Sequence, residues 1–209
     1  MSGSMRSRQR KAEQLTEFRR FDQLGAREIR DTVQDVYARA YAESVASGDP
    51  FESLEAAMRR FDAYTNSSGF DLVVLYADGE AIGQAWGWPL NENSRWWNNL
   101  RLDVEEPGFT TEDGARTFAL SEIMVVREHT GRGYARALHD ELLDGRGERR
   151  ATLLVDPMNE HAYVRYRKWG WSRVGVLQPS WEGAPTFDVL VHALPLQAGR
   201  HPTSRPIAR

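Results

Sequence analysis

The chain has 209 residues, 41% hydrophobic and 27% charged, a balance that suits one soluble domain with a sizeable core. A net charge of −3 and a pI near 6.0 argue against a nucleic-acid binder, and no apolar run is long enough to span a bilayer. Zero cysteines exclude disulfides, thiolate metal ligands and a cysteine nucleophile. The basic opening MSGSMRSRQRKAEQL has no apolar stretch of a secretory signal, so a cytoplasmic location is expected.

In chain order, residues 1–15 read as a polar tail, 16–196 as one domain and 197–209 as a second tail. TEFRRF reads as a first strand. Ile29, Val33, Val36, Tyr37 and Ala40 then recur at helical spacing. Asp49 reads as the cap of a second helix, with Pro50 in its first turn and Phe51, Leu54, Met58 and Phe61 on one face. FDLVVLY and AIGQAWGWPL read as a hairpin turning at Asp78-Gly79. In its second strand Ile82, Trp86 and Trp88 share one face, while Gly83, Ala85 and Gly87 leave the other small, for tight helix packing or for a ligand. Asn91 to about Arg116 reads as a long polar connection of the functional or mobile kind.

TFALSEIMVV is a buried strand that runs into Thr130-Gly131-Arg132-Gly133 and then a helix with Ala135, Leu138 and Leu142 on one face. A glycine turn at a helix N-terminus holds an anion without lysine, because unpaired N–H groups and the positive dipole end meet there. ATLLV is the next strand. Asn159 caps a helix with Ala162, Tyr166 and Trp169 on one stripe and Gly170 behind it as the C-terminal stop. WSRVGVLQ and TFDVLVHAL close the sheet as a hairpin. The predicted order is β-α-α-β-β-β-α-β-α-β-β. The glycine turn lacks the lysine of a Walker loop and the third glycine of a dinucleotide turn, where Arg136 stands.

The pairing of that turn with Asn159, Ala162, Tyr166, Gly170 and Trp171 resembles the GNAT superfamily of acyl-CoA-dependent N-acetyltransferases. The likeness spans about Thr16 to Leu194 by element order and is specific from Thr117 to Trp171. It departs at Thr130, where the family has Arg or Gln, with Arg132 or Arg136 as the stand-in, and at Arg127 and Trp171. The resemblance implies a single mixed, mostly antiparallel α/β sheet of six to seven strands flanked by helices, with a splayed central strand pair. It implies acetyl-CoA as acyl donor and an amine acceptor; the spacing of the histidines gives no reason to expect a metal. The pantetheine arm would lie along Met124, Val125 and Val126. The diphosphate would sit on Thr130, Gly131, Arg132, Gly133, Tyr134, Ala135 and Arg136, with Asn159 and Ala162 nearby.

Acyl transfer needs an amine that loses a proton, a polarised carbonyl and a protonated leaving thiolate. Tyr166 aligns with the family's acid for the thiolate; a packing tyrosine is the other reading. The backbone N–H near Val125 is the expected carbonyl polariser. Glu122, a carboxylate in an apolar strand, is the candidate base or amine binder, against a simple salt bridge to an arginine. Ser121 is expected on the opposite face.

His129, His139 and His161 read as surface histidines rather than a metal set. Arg146, Arg149 and Arg150 read as a solvated helix end and loop, with a 3′-phosphate contact as the alternative. Trp86, Trp88, Trp96 and Trp97, with Asp103, Glu105 and Glu106, form either an aromatic and acidic mouth for a cationic amine or ordinary core and solvated acids. The acceptor is a small molecule or a peptide, and the chain a monomer or homodimer. A non-catalytic acyl-CoA sensor or interaction module is the competing class.

Overall fold

A computed structural model describes residues 15–47, 53–180 and 184–196. The expected tails, apart from Leu15, and the Asp49, Pro50 and Phe51 helix start lie outside the described residues.

Strand β1 (Thr16–Phe21) leads into three short helices, α1 (Gln23–Glu28), α2 (Arg30–Ala40) and α3 (Ala42–Ala46). The start of α1 is fixed by Asp22, whose carboxylate accepts from the N–H groups of Leu24 and Gly25 at 3.1 and 2.9 Å. Helix α4 (Leu54–Tyr64) begins at Ser53, which accepts from the Ala56 N–H at 3.2 Å. Its Met58 and Phe61 are buried with Val33 and Val36 of α2.

Strands β2 (Asp71–Ala77) and β3 (Glu80–Pro89) form the expected hairpin. Asp78 and Gly79 both have positive φ, 51° and 86°, as the tightest hairpin turn requires. The small face of β3 takes helix packing: a Cβ on Gly83 would lie 3.0 Å from Leu138 of α5 (Tyr134–Leu143). The buried Gln84 amide donates to Val33 O at 3.0 Å and braces β3 against α2.

Among the described residues the sheet has eight strands in the order β1-β2-β3-β5-β6-β8-β7-β4, adding β5 (Thr117–Val125), β6 (Arg150–Val155), β7 (Ser172–Leu177) and β8 (Phe187–Ala193). The eighth is β4 (Leu100–Leu102), inside the segment expected to be a polar connection. It pairs with the edge of β7. That segment is packed, because Trp97, Phe109 and Leu90 share a second core with Leu177 and Val189. Buried Glu112 ties it together, accepting from Trp97 Nε1 at 2.9 Å and Thr117 Oγ1 at 2.8 Å, and pairing with Arg150 at 3.2 Å.

All pairings are antiparallel except β5 with β6. Those two strands run parallel and are joined only from Thr117 to Ala119 on β5 and Arg150 to Thr152 on β6. Beyond that point they part, as the resemblance implied.

Candidate active site

The parted strands open a cavity of about 1170 Å³, walled by β5 from Leu120 to Val125, β6 from Leu153 to Val155, the N-terminus of α5, helix α6 (Glu160–Lys168) and part of α4. Parting leaves backbone groups of β5 facing the gap. Val126 donates its N–H to Ile82 O on β3 at 2.9 Å. Alternation along a strand therefore aims the N–H and C=O of Val125 the other way, toward β6 and the cavity. Met124 and Val125 line the cavity, whereas Val126 is fully buried and belongs to the core.

At one end of this wall, Gly131 and Gly133 have φ of 76° and 86°, and α5 starts without a side-chain cap. A Cβ on either glycine would meet nothing within 4 Å, so packing against the chain does not demand glycine here. The left-handed backbone does, and it leaves an open shelf beside the uncapped N–H groups of the first turn. This shelf fits a diphosphate. Thr130, Gly131, Gly133, Tyr134, Ala135 and Arg136 line it. The Thr130 hydroxyl is turned to Arg127 O at 2.9 Å, and Arg132 is exposed and donates to Glu128 O. Of the two expected stand-ins, only Arg136 reaches the cavity wall, held by Asp140 at 2.7 Å.

Toward the other end stand Glu122 and Tyr166, with Asn159 and Ala162 on the α6 side. Asn159 caps α6 by accepting from the Ala162 N–H at 3.1 Å. The Tyr166 ring is wedged edge-on against Trp169 and Trp171, at 5.6 and 6.0 Å. Burial and the nearby Glu122 charge push its phenol above the ordinary tyrosine range. Burial likewise raises the Glu122 carboxyl to about 7, while Arg60 pulls the other way.

The strand carries a bulge that the sequence did not reveal. Glu122 pairs with Trp86 and Leu120 with Gly87, leaving Ser121 as the extra residue. The bulge turns Ser121 into the cavity beside Glu122, correcting the expectation that it faces away. There it stands beside the Tyr64 side chain.

Other expectations are redistributed. Trp96 lines the cavity, and Trp88 stands behind it, edge-on at 6.0 Å and stacked on Tyr64 at 4.5 Å. Trp86 packs on Phe61 in the main core and Trp97 lies in the second core, so neither reaches the cavity. Asp103 pairs with Arg173 and Glu106 with Arg116, away from it; Glu105 is exposed and outside its lining.

His139 is not a surface residue. It is fully buried, donating from Nδ1 to Asp140 at 2.8 Å and accepting from Trp171 Nε1 at 2.9 Å, and burial lowers its pKa. His129 is half-buried in the cavity wall, and His161 is exposed at its rim. Among the described residues no cluster suits a metal. Arg146 and Arg150 are not solvated: Arg146 pairs with Asp71 and Glu148, and Arg150 with Glu112. Sequence reasoning missed Arg60, Tyr64 and Arg95, which line the cavity. Tyr64 continues the Met58–Phe61 stripe of α4, a signal that was available.

A mixed sheet opened between two parallel strands, with an uncapped helix start at one end and a half-buried phenol and carboxyl at the other, has the architecture of an acyltransferase. The chain belongs to the Acetyltransferase (GNAT) family, whose model matches residues 31–171. No curated protein sequence matches it.

Solved structures share the fold. An acetyltransferase from Thermus thermophilus is 16% identical with a TM-score of 0.57, over 86% of this chain and 97% of that one. The PaiA N-acetyltransferase from Thermoplasma acidophilum, in complex with coenzyme A, is 14% identical with a TM-score of 0.55, over 86% and 99%. An aminoglycoside 6′-acetyltransferase type Ii is 14% identical with a TM-score of 0.59, over 87% and 99%.

The Glu122 carboxyl carries a prediction about stability. Its proton is held to about 7 in the fold, against 4.5 for an unperturbed group. Between those values the unfolded chain has released the proton and the native chain has not, so this group's contribution falls as pH rises from about 4.5 to about 7. Glu122→Gln removes that loss. The melting temperature of the variant, relative to the parent, should rise by a few degrees between pH 4.5 and 8. A gap that does not change with pH would mean the carboxyl ionises normally in the fold.

Proposed function

We propose that this chain is an N-acetyltransferase that moves an acetyl group from acetyl-CoA to a primary amine of a small molecule or peptide, by direct attack with both substrates bound. The observation that carries this reading is that Glu122, Tyr166 and the outward N–H of Val125 share one cavity with the glycine shelf of α5. Gly131, Gly133, Tyr134 and Ala135 would hold the diphosphate, and Met124 and Val125 the pantetheine arm. Bound acetyl-CoA supplies the acyl thioester.

The chain's own residues then divide the work. The Val125 N–H donates to an acyl oxygen lying in the parted edge. The Glu122 carboxylate takes a proton from the acceptor ammonium, directly or through a water. With its pKa near 7 it is a stronger base than an ordinary carboxylate, and it ionises as pH rises through neutrality. The Tyr166 hydroxyl gives its proton to the departing sulfur. Burial keeps that phenol protonated, and the same desolvation raises the basicity of a thiolate beside it. No covalent nucleophile is needed. The absence of cysteine supports a cytoplasmic setting.

Acetyl-CoA should raise the melting temperature of the protein, because a ligand that binds only the native state stabilises it. Thiol release in the presence of an accepted primary amine should follow, with kcat/KM climbing with pH to a plateau above about 7 as Glu122 ionises. Stabilisation by acetyl-CoA with no thiol release from any amine would favour the sensor reading. Stabilisation by ATP instead would reject both.

A further inference from the structure

Among the described residues, the acceptor end of the cavity is lined by Arg60, Arg95 and Glu122 in place of the acidic mouth expected from the sequence. Along β5, Val125 adjoins the glycine shelf, and Ser121 lies four residues away, on the order of 13 Å at about 3.3 Å per residue. Around Ser121 the walls come from α4 and the β3–β4 connection. Arg60 and Tyr64 are one helical turn apart on α4 and both line the cavity. Tyr64 stacks on Trp88, Trp88 meets Trp96, and Trp96 sits beside Arg95, which also lines the cavity. This chain of ring contacts builds an aromatic wall around Ser121, and Arg60 and Arg95 belong to the same lining. Asp103 and Glu106, which would have drawn a polycation, are spent in ion pairs elsewhere. Among the described residues Glu122 is the one acid in this part of the lining; Asp156, the other acid of the described lining, follows the C-terminal end of β6.

We infer that the acceptor is a small primary amine that also carries a carboxylate, an amino acid in the broad sense, with its carboxylate held by Arg60 and Arg95 and its amine presented to Glu122 and Ser121. This rests on the acyltransfer reading and narrows it. Arginine suits the task, since its planar fork matches a carboxylate. The aromatic wall of Tyr64 and Trp96 would cover the carbon skeleton between the two ends. Amines bearing several positive charges meet like charge at the same place and are disfavoured.

The test compares thiol release from acetyl-CoA with three sets of amines: α- and ω-amino acids, the carboxamides of the same compounds, and the polyamines putrescine and spermidine. The expected result is a kcat/KM for at least one amino acid roughly tenfold or more above that of its carboxamide. Arg95→Glu and Arg60→Ala should each collapse that ratio by raising KM for the amino acid while leaving KM for its carboxamide in place. Arg95 is exposed, so its variant should fold, and a normal acetyl-CoA thermal shift verifies this for both. Carboxamides or polyamines used as well as or better than the amino acids would overturn this inference and leave the acyltransfer reading standing. No thiol release with any amine would remove both.

Discussion

Tyr166→Phe is expected to lower kcat by roughly 10²–10⁴-fold, the range of a lost general acid, with acetyl-CoA affinity unchanged within about twofold. The substitution removes one oxygen and keeps the ring. The ring makes the contacts that hold it, edge-on to Trp169 and Trp171, so the fold has no reason to move. Only the hydroxyl's proton is lost, and it matters only when a thiolate forms. The effect should therefore appear in kcat and kcat/KM together, as for an interaction made in the transition state alone. Steady-state kinetics with calorimetry of acetyl-CoA binding would check it. Turnover within a factor of about two of the parent would return Tyr166 to a packing role and leave the sulfur to solvent.

The second large effect is expected from Gly133→Glu, which should weaken CoA binding by at least about 100-fold while the protein still folds. Two physical terms act together. The residue has φ of 86°, where any side chain costs about 1–2 kcal/mol, and the glutamate brings a negative charge to the shelf that must receive a diphosphate. The fold should survive, because a Cβ at this position meets nothing within 4 Å. Gly133→Ala separates the terms: it carries the backbone strain without the charge and should bind CoA far better than the glutamate variant. Circular dichroism confirms folding, and calorimetry reads affinity. Normal CoA affinity in the glutamate variant would place the diphosphate elsewhere.

How much of this was legible beforehand differs by region, for reasons that particular residues make plain. The glycine shelf and the Asn159–Tyr166 helix were readable because their signals are local. Gly131 and Gly133 are needed for their own backbone conformation, and Asn159 caps the helix that it starts. The hairpin at Asp78-Gly79 was readable for the same reason. The connection after Leu90 was misread because its order is not local. Glu112 joins Trp97, Thr117 and Arg150, partners that look like solvated polar residues until the chain brings them together. His139 misled in the same way: its neighbours along the helix are polar, while its ring lies under Trp171 from a distant segment.

The site shows the same division. Glu122 stood out because a carboxylate in an apolar strand is costly and asks for a reason. Ser121 did not, since simple alternation sends it to the other face and only the register against Trp86 and Gly87 shows the bulge.

By itself the sequence determined the order of seven of the strands and four of the helices, the glycine turn that opens α5 and the two residues on which the acyl-transfer reading rests, because caps, glycines and an out-of-place carboxylate act within a few residues of themselves; the short helices α1 and α3 and strand β4 were not legible. The tertiary structure alone decided how far β5 and β6 part, which tryptophans face the cavity, and that Arg60 and Arg95 rather than Asp103, Glu105 and Glu106 line it. Those outcomes follow from strand register and from side chains far apart in sequence sharing buried space, and neither is encoded by any one segment.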